Sequence, residues 1–146
     1  MSTLSAAGRY EYLRDIARDN ASALAAAIER CVALGIGAFR MTSRLLPLTT
    51  HPASGYALAD IDADGSIARA FAAAGDLARA RDVRLSFHPD QFVVINSERP
   101  EVVSGSVREL NEQGALARLV GADVITLHGG GATGGLTAAR DRLARG

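Results

Sequence analysis

Three histidines are the side chains best suited to chemistry in this sequence. His88 ends one short apolar run, His128 ends another, and His51 lies in the segment after a third. A lone histidine at a strand end more often hydrogen-bonds a loop, but matched positions on two neighbouring strands favour a metal. Imidazole nitrogens bind Zn²⁺, Mn²⁺ or Fe²⁺. We therefore predict that His88 and His128 are metal ligands.

Carboxylates would have to complete such a site, because oxygen ligands hold and bridge divalent ions. Asp90 lies two residues beyond His88 and is the best placed. Three further aspartates, Asp60, Asp62 and Asp64, are expected to lie in a solvated turn that leads into a helix. Three glutamates, Glu101, Glu109 and Glu112, are expected to be surface charges on a helix. These residues leave the predicted metal site incomplete.

A glutamine and an aromatic residue, Gln91 and Phe92, follow Asp90 directly. On an exposed loop, such a pair can enter a nucleic-acid duplex, where the aromatic ring stacks and the amide replaces lost base-pair hydrogen bonds. The alternative is that Phe92 packs beneath the loop.

Three β-rich apolar runs predict strands, and each follows a segment with helical spacing. The predicted strands are 37–42, 83–87 and 122–127. The predicted helices are 20–34 after an Asn20 cap, 66–81 after Ser66, and 101–119, and residues 137–145 are consistent with a fourth. Helices alternating with strands indicate a parallel sheet, either an open doubly wound sheet or a (β/α)8 barrel.

In a barrel, the carboxyl ends of the strands and the loops after them form the active site, so all three histidines would lie on the functional face. No GxGxxG or GxxxxGK[ST] motif follows a strand, which argues against a doubly wound sheet that binds nucleotides. Gly129–Gly131 follow a strand, but their spacing is more typical of a tight turn. Three strands are too few to close a barrel, which typically needs about 250 residues.

The composition narrows the class of protein further. All 16 basic residues are arginine, so no lysine can act as a base or form a Schiff base, and the net charge is zero. Cys31 is the only cysteine, which excludes an internal disulfide and a cysteine-cluster zinc site. No apolar run reaches the roughly 18 residues of a membrane span. We expect a cytoplasmic protein that does not bind membranes.

Several motifs together resemble the UV damage endonuclease family. The central ones are Ser86–Phe92, Asn96-Ser97 and Pro100–Val103. Upstream, Phe39–Ser43, Leu46–Leu48 and His51-Pro52 are similar to the family's second strand and its loop, and downstream Leu127–Gly131 resembles the end of its fourth strand. The match is collinear from about Asn20 to Gly134.

The resemblance implies a barrel enzyme with a cluster of divalent metals, usually manganese, that cuts DNA on the 5′ side of UV photoproducts. His88 and His128 would then be metal ligands, and His51 would be a catalytic residue near the DNA phosphate. Gln91 and Phe92 would probe the duplex at the lesion, and Asn96 would bind DNA.

The chain also departs from the family pattern. Thr133, Gly135 and Leu136 stand where the family has a Tyr, Asp and Lys stretch, and the later strands with most metal ligands have no counterpart. We therefore expect residues 1–146 to form one domain, an incomplete TIM-type barrel of about strands 2–4, inactive alone unless a complementary chain supplies the rest. The alternatives are a xylose isomerase-like (sugar isomerase) or apurinic-site endonuclease barrel, and a non-catalytic DNA-binding remnant.

Overall fold

The computed structural model describes residues 5–146 as five helices and three strands. In chain order they are α1 (Ala6–Ala33), β1 (Ala38–Thr42), α2 (Leu58–Ile61), α3 (Ser66–Ala80), β2 (Arg84–His88), α4 (Pro100–Val120), β3 (Val124–Ile125) and α5 (Leu136–Arg145). The three predicted strands are confirmed, although β3 has only two residues. The predicted helices before them and the fourth helix at the end are confirmed as well.

The three strands form one parallel sheet in the order β1-β2-β3. Phe39 pairs with Leu85, Met41 with Phe87, and Phe87 with Ile125. The prediction of parallel, adjacent strands is confirmed. Because parallel strands point the same way, the loops that follow β1, β2 and β3 all leave from one edge of the sheet.

Alternate residues of the strands face two different environments. Met41, Leu85 and Phe87 are buried in a single core with apolar residues of α1, α3 and α4. The intervening Arg40 and Thr42 are exposed, and Ser86 and His88 are half-buried. Helices therefore cover one face of the sheet in the described residues. Helices on both faces, which would have favoured a doubly wound sheet, are not seen there.

The start of α1 differs from the prediction. The helix begins at Ala6, not near Asn20, and the Ser5 hydroxyl accepts a hydrogen bond from the Gly8 amide at 3.1 Å. Asn20 lies inside the helix, and its side-chain amide donates to the Leu45 carbonyl at 2.9 Å. Two small residues, Ala17 and Ala21, hold the core positions before Leu24, so a search for helical spacing of large apolar residues starts too late in α1.

The start of α3 shows a second difference. Asp62 is buried and not solvated as predicted, and its carboxylate accepts hydrogen bonds from the Ile67 and Ala68 amides at 2.8 and 2.9 Å. A carboxylate in this position satisfies amides that the helix leaves unpaired. Exposed Asp64 accepts from the Ser66 amide, and this bond lowers the pKa of Asp64.

A membrane span would need a helix that is both long and strongly apolar, and none of the helices between residues 5 and 146 meets that requirement.

Candidate functional site

His88 and His128 lie next to each other at the carboxyl-end edge of the sheet. Their ring centroids are 4.6 Å apart, with the ring planes tilted by 56°. His88 is the last residue of β2, and His128 follows β3 by three residues. Both side chains are half-buried. The structure therefore brings together the two residues that the sequence selected as metal ligands.

The surroundings of His88 define which of its nitrogens is free. Its Nδ1 lies 3.1 Å from the carbonyl oxygen of Thr126. Because a carbonyl oxygen only accepts, Nδ1 must carry the hydrogen, and in the neutral ring Nε2 then keeps its lone pair. Histidine ligands of metals commonly donate their other N–H to a carbonyl in this way, which fixes the orientation of the ring. The geometry of His88 thus fits a metal ligand.

Both histidines line an open cavity of about 530 Å³, which Asp90 and Gln91 also line. The Asp90 carboxylate accepts a hydrogen bond from the Phe92 amide at 3.1 Å and lies 3.9 Å from the Arg44 guanidinium. Across the described residues, no group of three or more His, Cys, Asp or Glu side chains is arranged to hold an ion. A catalytic zinc site has three protein ligands. The fit to a metal is thus limited to two imidazoles.

The turn after β2 presents Phe92 to solvent. Phe92 is 75% exposed and Gln91 is exposed too, so the interpretation that Phe92 packs beneath the loop is wrong. The next residue, Val93, is buried instead, and its amide donates to the Asp90 carbonyl at 2.9 Å. This tight turn directs Phe92 and Val93 to opposite sides. Gln91 lines the histidine cavity, and Phe92 lines a neighbouring cavity that shares Asp90 with it.

His51 lies in the loop after β1, between Thr42 and Leu58. It is exposed, its Nδ1 accepts a hydrogen bond from the Ala53 amide at 3.2 Å, and it is not among the residues that line the cavity of His88 and His128. The neighbouring Thr50 hydroxyl is hydrogen-bonded to Glu109 of α4. The structure does not bring His51 to the histidine pair, and its catalytic role stays a prediction.

Glu109 is half-buried and not the surface charge predicted from the sequence. Its carboxylate binds Thr50 on one oxygen and accepts from the Gln113 amide on the other at 2.8 Å. Together with Phe92 and residues of the loop after β1, it lines a second cavity of about 700 Å³. Helical spacing alone could not predict that Glu109 is half-buried while Glu112 is exposed. The difference arises because the loop after β1 contacts Glu109 through Thr50.

Asn96 is 3% exposed and is engaged within the protein. Its side-chain amide donates to the Gly131 carbonyl at 2.9 Å, which joins the loops after β2 and β3. A direct contact with DNA was predicted for Asn96, and this burial does not support one. Arg142, which the sequence reasoning missed, donates to the backbone carbonyl of Asn96. No local pattern singles out Arg142, since its partner lies 46 residues away.

The family model of the UV-endonuclease UvdE matches residues 1–146. The chain belongs to the UvdE family.

Curated relatives of this UvdE-family chain are named UV DNA damage endonuclease. That of Bacillus cereus strain Q1 is 27% identical over 143 residues, and that of Bacillus velezensis is 30% identical over 145, each covering 96% of this chain. That of Halalkalibacterium halodurans is 36% identical over 101 residues, which are 67% of this chain and 29% of the relative. The crystal structure of SacUVDE is similar with a TM-score of 0.84, at 27% identity, over 99% of this chain.

The chain spans less than half the length of these proteins. The matches cover 44% of the B. cereus relative, 43% of the B. velezensis relative and 47% of SacUVDE. The family is therefore established for this chain, whereas the reaction of the longer relatives reaches it only as a proposal.

Proposed function

We propose that this UvdE-family chain provides the lesion-probing loop and part of the metal site of an endonuclease that cuts DNA 5′ to UV photoproducts. The observation that carries the proposal is the position of the His88–His128 pair beside exposed Gln91 and Phe92, on one edge of the sheet. Gln91 lines the same cavity as the two histidines, and Phe92 lines the neighbouring cavity, which shares Asp90 with it.

Lesion recognition is assigned to the turn after β2. Phe92 is 75% exposed, so its ring packs little against the protein and has a face available to a base. Stacking on an aromatic side chain contributes about 1–3 kcal/mol per base. A photoproduct weakens pairing and stacking, so a probe inserts there at a lower cost than in intact duplex.

The metal is assigned to His88 and His128. Mn²⁺ is the first choice because the family resemblance implies manganese, and Zn²⁺ or Fe²⁺, which imidazole nitrogens also bind, are the alternatives. When bound, a divalent ion supplies Lewis-acid stabilisation of a phosphodiester and lowers the pKa of water. What this chain contributes is the free Nε2 of His88, held in orientation by the Thr126 carbonyl. The remaining ligands must come from residues outside this pair.

We further propose that the sheet is part of a (β/α)8 barrel. The sequential parallel order and the helices on one face of the sheet support this. The open face, with Arg40, Ser86 and His88, would then line the barrel interior. In this proposal a complementary segment or chain supplies the other strands and the carboxylate ligands.

The experiment combines binding and incision. The 146-residue chain is mixed with labelled duplex that carries one UV photoproduct, with undamaged duplex and with an apurinic-site duplex, each with Mn²⁺ or EDTA. We expect tighter binding to the photoproduct, no cut by the chain alone, and a cut on the 5′ side once the C-terminal half of the B. velezensis relative is added. Equal affinity for all three duplexes would contradict the proposal, and preference for the apurinic site would favour that repair class.

A second function, lesion binding without incision, is favoured by one observation. The residues described in the structure hold no group of three or more metal-binding side chains. If this function is correct, preference for damaged duplex persists in EDTA and the added half restores no cut. Incision in the complemented mixture that His88→Ala abolishes would exclude it.

A further inference from the structure

Arg142 of α5 sits between the two loops that carry the proposed site. Its side chain is 17% exposed. Its Nε donates to the backbone carbonyl of Asn96 at 2.8 Å, and its Nη2 donates to that of Thr133 at 2.5 Å. Its Nη1 also lies 3.4 Å from the carboxylate of Glu98, which is half-exposed. One guanidinium thus holds backbone from the loop after β2 and backbone from the loop after β3.

The Asn96 side chain makes a second tie between the same loops. Its Nδ2 donates to the Gly131 carbonyl at 2.9 Å. Gly130, next to it, has a φ of 73°, and a Cβ there would lie 1.8 Å from the Asn96 Oδ1. The loop after β3 can therefore approach Asn96 this closely only because position 130 is glycine.

His128 needs such ties because the sheet holds it weakly. β3 consists of Val124 and Ile125, and the Thr126 amide still donates to the Phe87 carbonyl at 2.9 Å. His128 lies beyond that bond and is followed directly by three glycines. Glycine has more backbone freedom to lose than any other residue, so this loop is not ordered by its own sequence.

We propose that Arg142 is a positioning residue which, together with Asn96, sets the loop after β3 so that His128 stays beside His88. The metal part of this inference rests on the proposed function, but the clamp between the loops does not. The planar guanidinium presents N–H groups in a fixed fork, so it reaches two carbonyls at once. A lysine ammonium is a single point charge and cannot span both with this geometry.

The test compares Arg142→Lys with Arg140→Lys, the same change at an exposed arginine two residues away on α5. Amide hydrogen exchange of Gly135, whose amide donates to the Ala132 carbonyl in this loop, the imidazole NMR signals of His128, and Mn²⁺ affinity are measured on the 146-residue chain. We expect Arg142→Lys to speed exchange in this loop by about tenfold or more and to shift the His128 signals. Loss of a residue that orients a metal ligand typically weakens metal binding by about 10- to 100-fold.

Two further variants separate the clamp from a simple charge effect. Glu98→Gln removes the ion pair only and should leave loop exchange near that of the wild type, whereas Asn96→Ala removes the second tie and should speed it. Wild-type behaviour of Arg142→Lys, or an equal effect of Glu98→Gln, overturns the inference. If Arg142→Lys does not fold, Asn96→Ala tests the clamp instead, and unchanged loop exchange in that variant overturns the inference. If the wild type binds no Mn²⁺, the metal proposal fails. Hydrogen exchange and the NMR signals of His128 still test whether Arg142 holds the two loops together.

Discussion

The body of the sheet and its carboxyl-end edge use similar side chains in opposite ways. In the body, Phe87 is fully buried, and Arg84 donates two hydrogen bonds from Nε and Nη2 to the Asp123 carboxylate at 3.0 Å. At the edge, Phe92 is 75% exposed, and His88 keeps a free nitrogen after its bond to Thr126. Both regions belong to the same few residues of β2 and the turn after it.

The difference shows how a site is recognised in a small scaffold. Where side chains satisfy each other, as Arg84 and Asp123 do, they have little capacity left for a ligand. Where Phe92 is exposed and His88 keeps a free nitrogen next to the ring of His128, a ligand can still bind. The edge is thus the functional candidate, even though the ion pair has the better hydrogen-bond geometry.

The largest effect should separate the two phenylalanines. Phe87→Ala leaves a cavity in the core and should lower the free energy of unfolding by about 3–5 kcal/mol. Phe92→Ala removes a ring that packs little and should change it by less than about 0.5 kcal/mol. Urea denaturation followed by circular dichroism measures both. Losses of similar size would mean that Phe92 supports the fold and that the contrast between the regions is wrong.

The second effect concerns the metal. His88→Ala should weaken Mn²⁺ binding by more than about a hundredfold, because losing a ligand costs more than losing the group that orients it. Isothermal titration calorimetry gives the affinity.

His51→Ala is the matched control for that change, since His51 lies outside the cavity of the histidine pair. It should bind Mn²⁺ as the wild type does. An equal loss in His51→Ala would instead make His51 a third ligand, at odds with its place in this structure.

The third effect concerns lesion binding. Phe92→Ala should weaken binding to UV-damaged duplex by about 1–3 kcal/mol through lost stacking, whereas Phe92→Tyr retains a ring and should bind normally. Fluorescence anisotropy with damaged and undamaged duplexes measures this, and Mn²⁺ content should stay unchanged. Equal weakening on both duplexes would assign Phe92 a general role in binding DNA and none in finding damage.

The smallest effect belongs to the body of the sheet. The hydrogen bond from Arg84 lowers the pKa of Asp123, so the folded state favours the charged carboxylate. This stabilisation is present above the unfolded-state pKa of about 3.9 and is lost as the pH falls through the lower folded-state pKa. Asp123→Asn should therefore be slightly less stable than the wild type at neutral pH and equally stable at strongly acidic pH.

Urea denaturation across that pH range tests the expectation. About 1 M salt at neutral pH should shrink the difference, because both partners are exposed and salt screens them. A difference that persists in acid would assign the effect to something other than the charge of Asp123.

Local patterns predicted much of this protein. Alternating burial along the strands and apolar spacing along the helices depend on neighbours in the sequence, so β1, β2, α3 and α4 were placed within a few residues. The early start of α1 was missed because two small residues, Ala17 and Ala21, hold the core positions before Leu24. The burial of Asp62 was missed because it depends on how the chain turns into α3.

Some features of the candidate site could also be predicted from the sequence, and others could not. Its histidines could be selected because a strand end is visible in the sequence, and parallel strands bring their ends to one edge. The exposure of Phe92 remained open, because the hydrogen bonds around Asp90 decide the direction of that turn. Arg142 was missed altogether, because its partners are backbone carbonyls of distant loops.

The sequence by itself determined the residue types, the alternation of strands and helices, and the family through its collinear motifs. Only the tertiary structure decided that His88 and His128 lie with ring centroids 4.6 Å apart, that His51 lies elsewhere, and that Asn96 faces inward. The physical reason is the range of the interactions. Helix and strand preferences act over a few residues, whereas the packing of one loop against another depends on contacts between segments far apart in the chain.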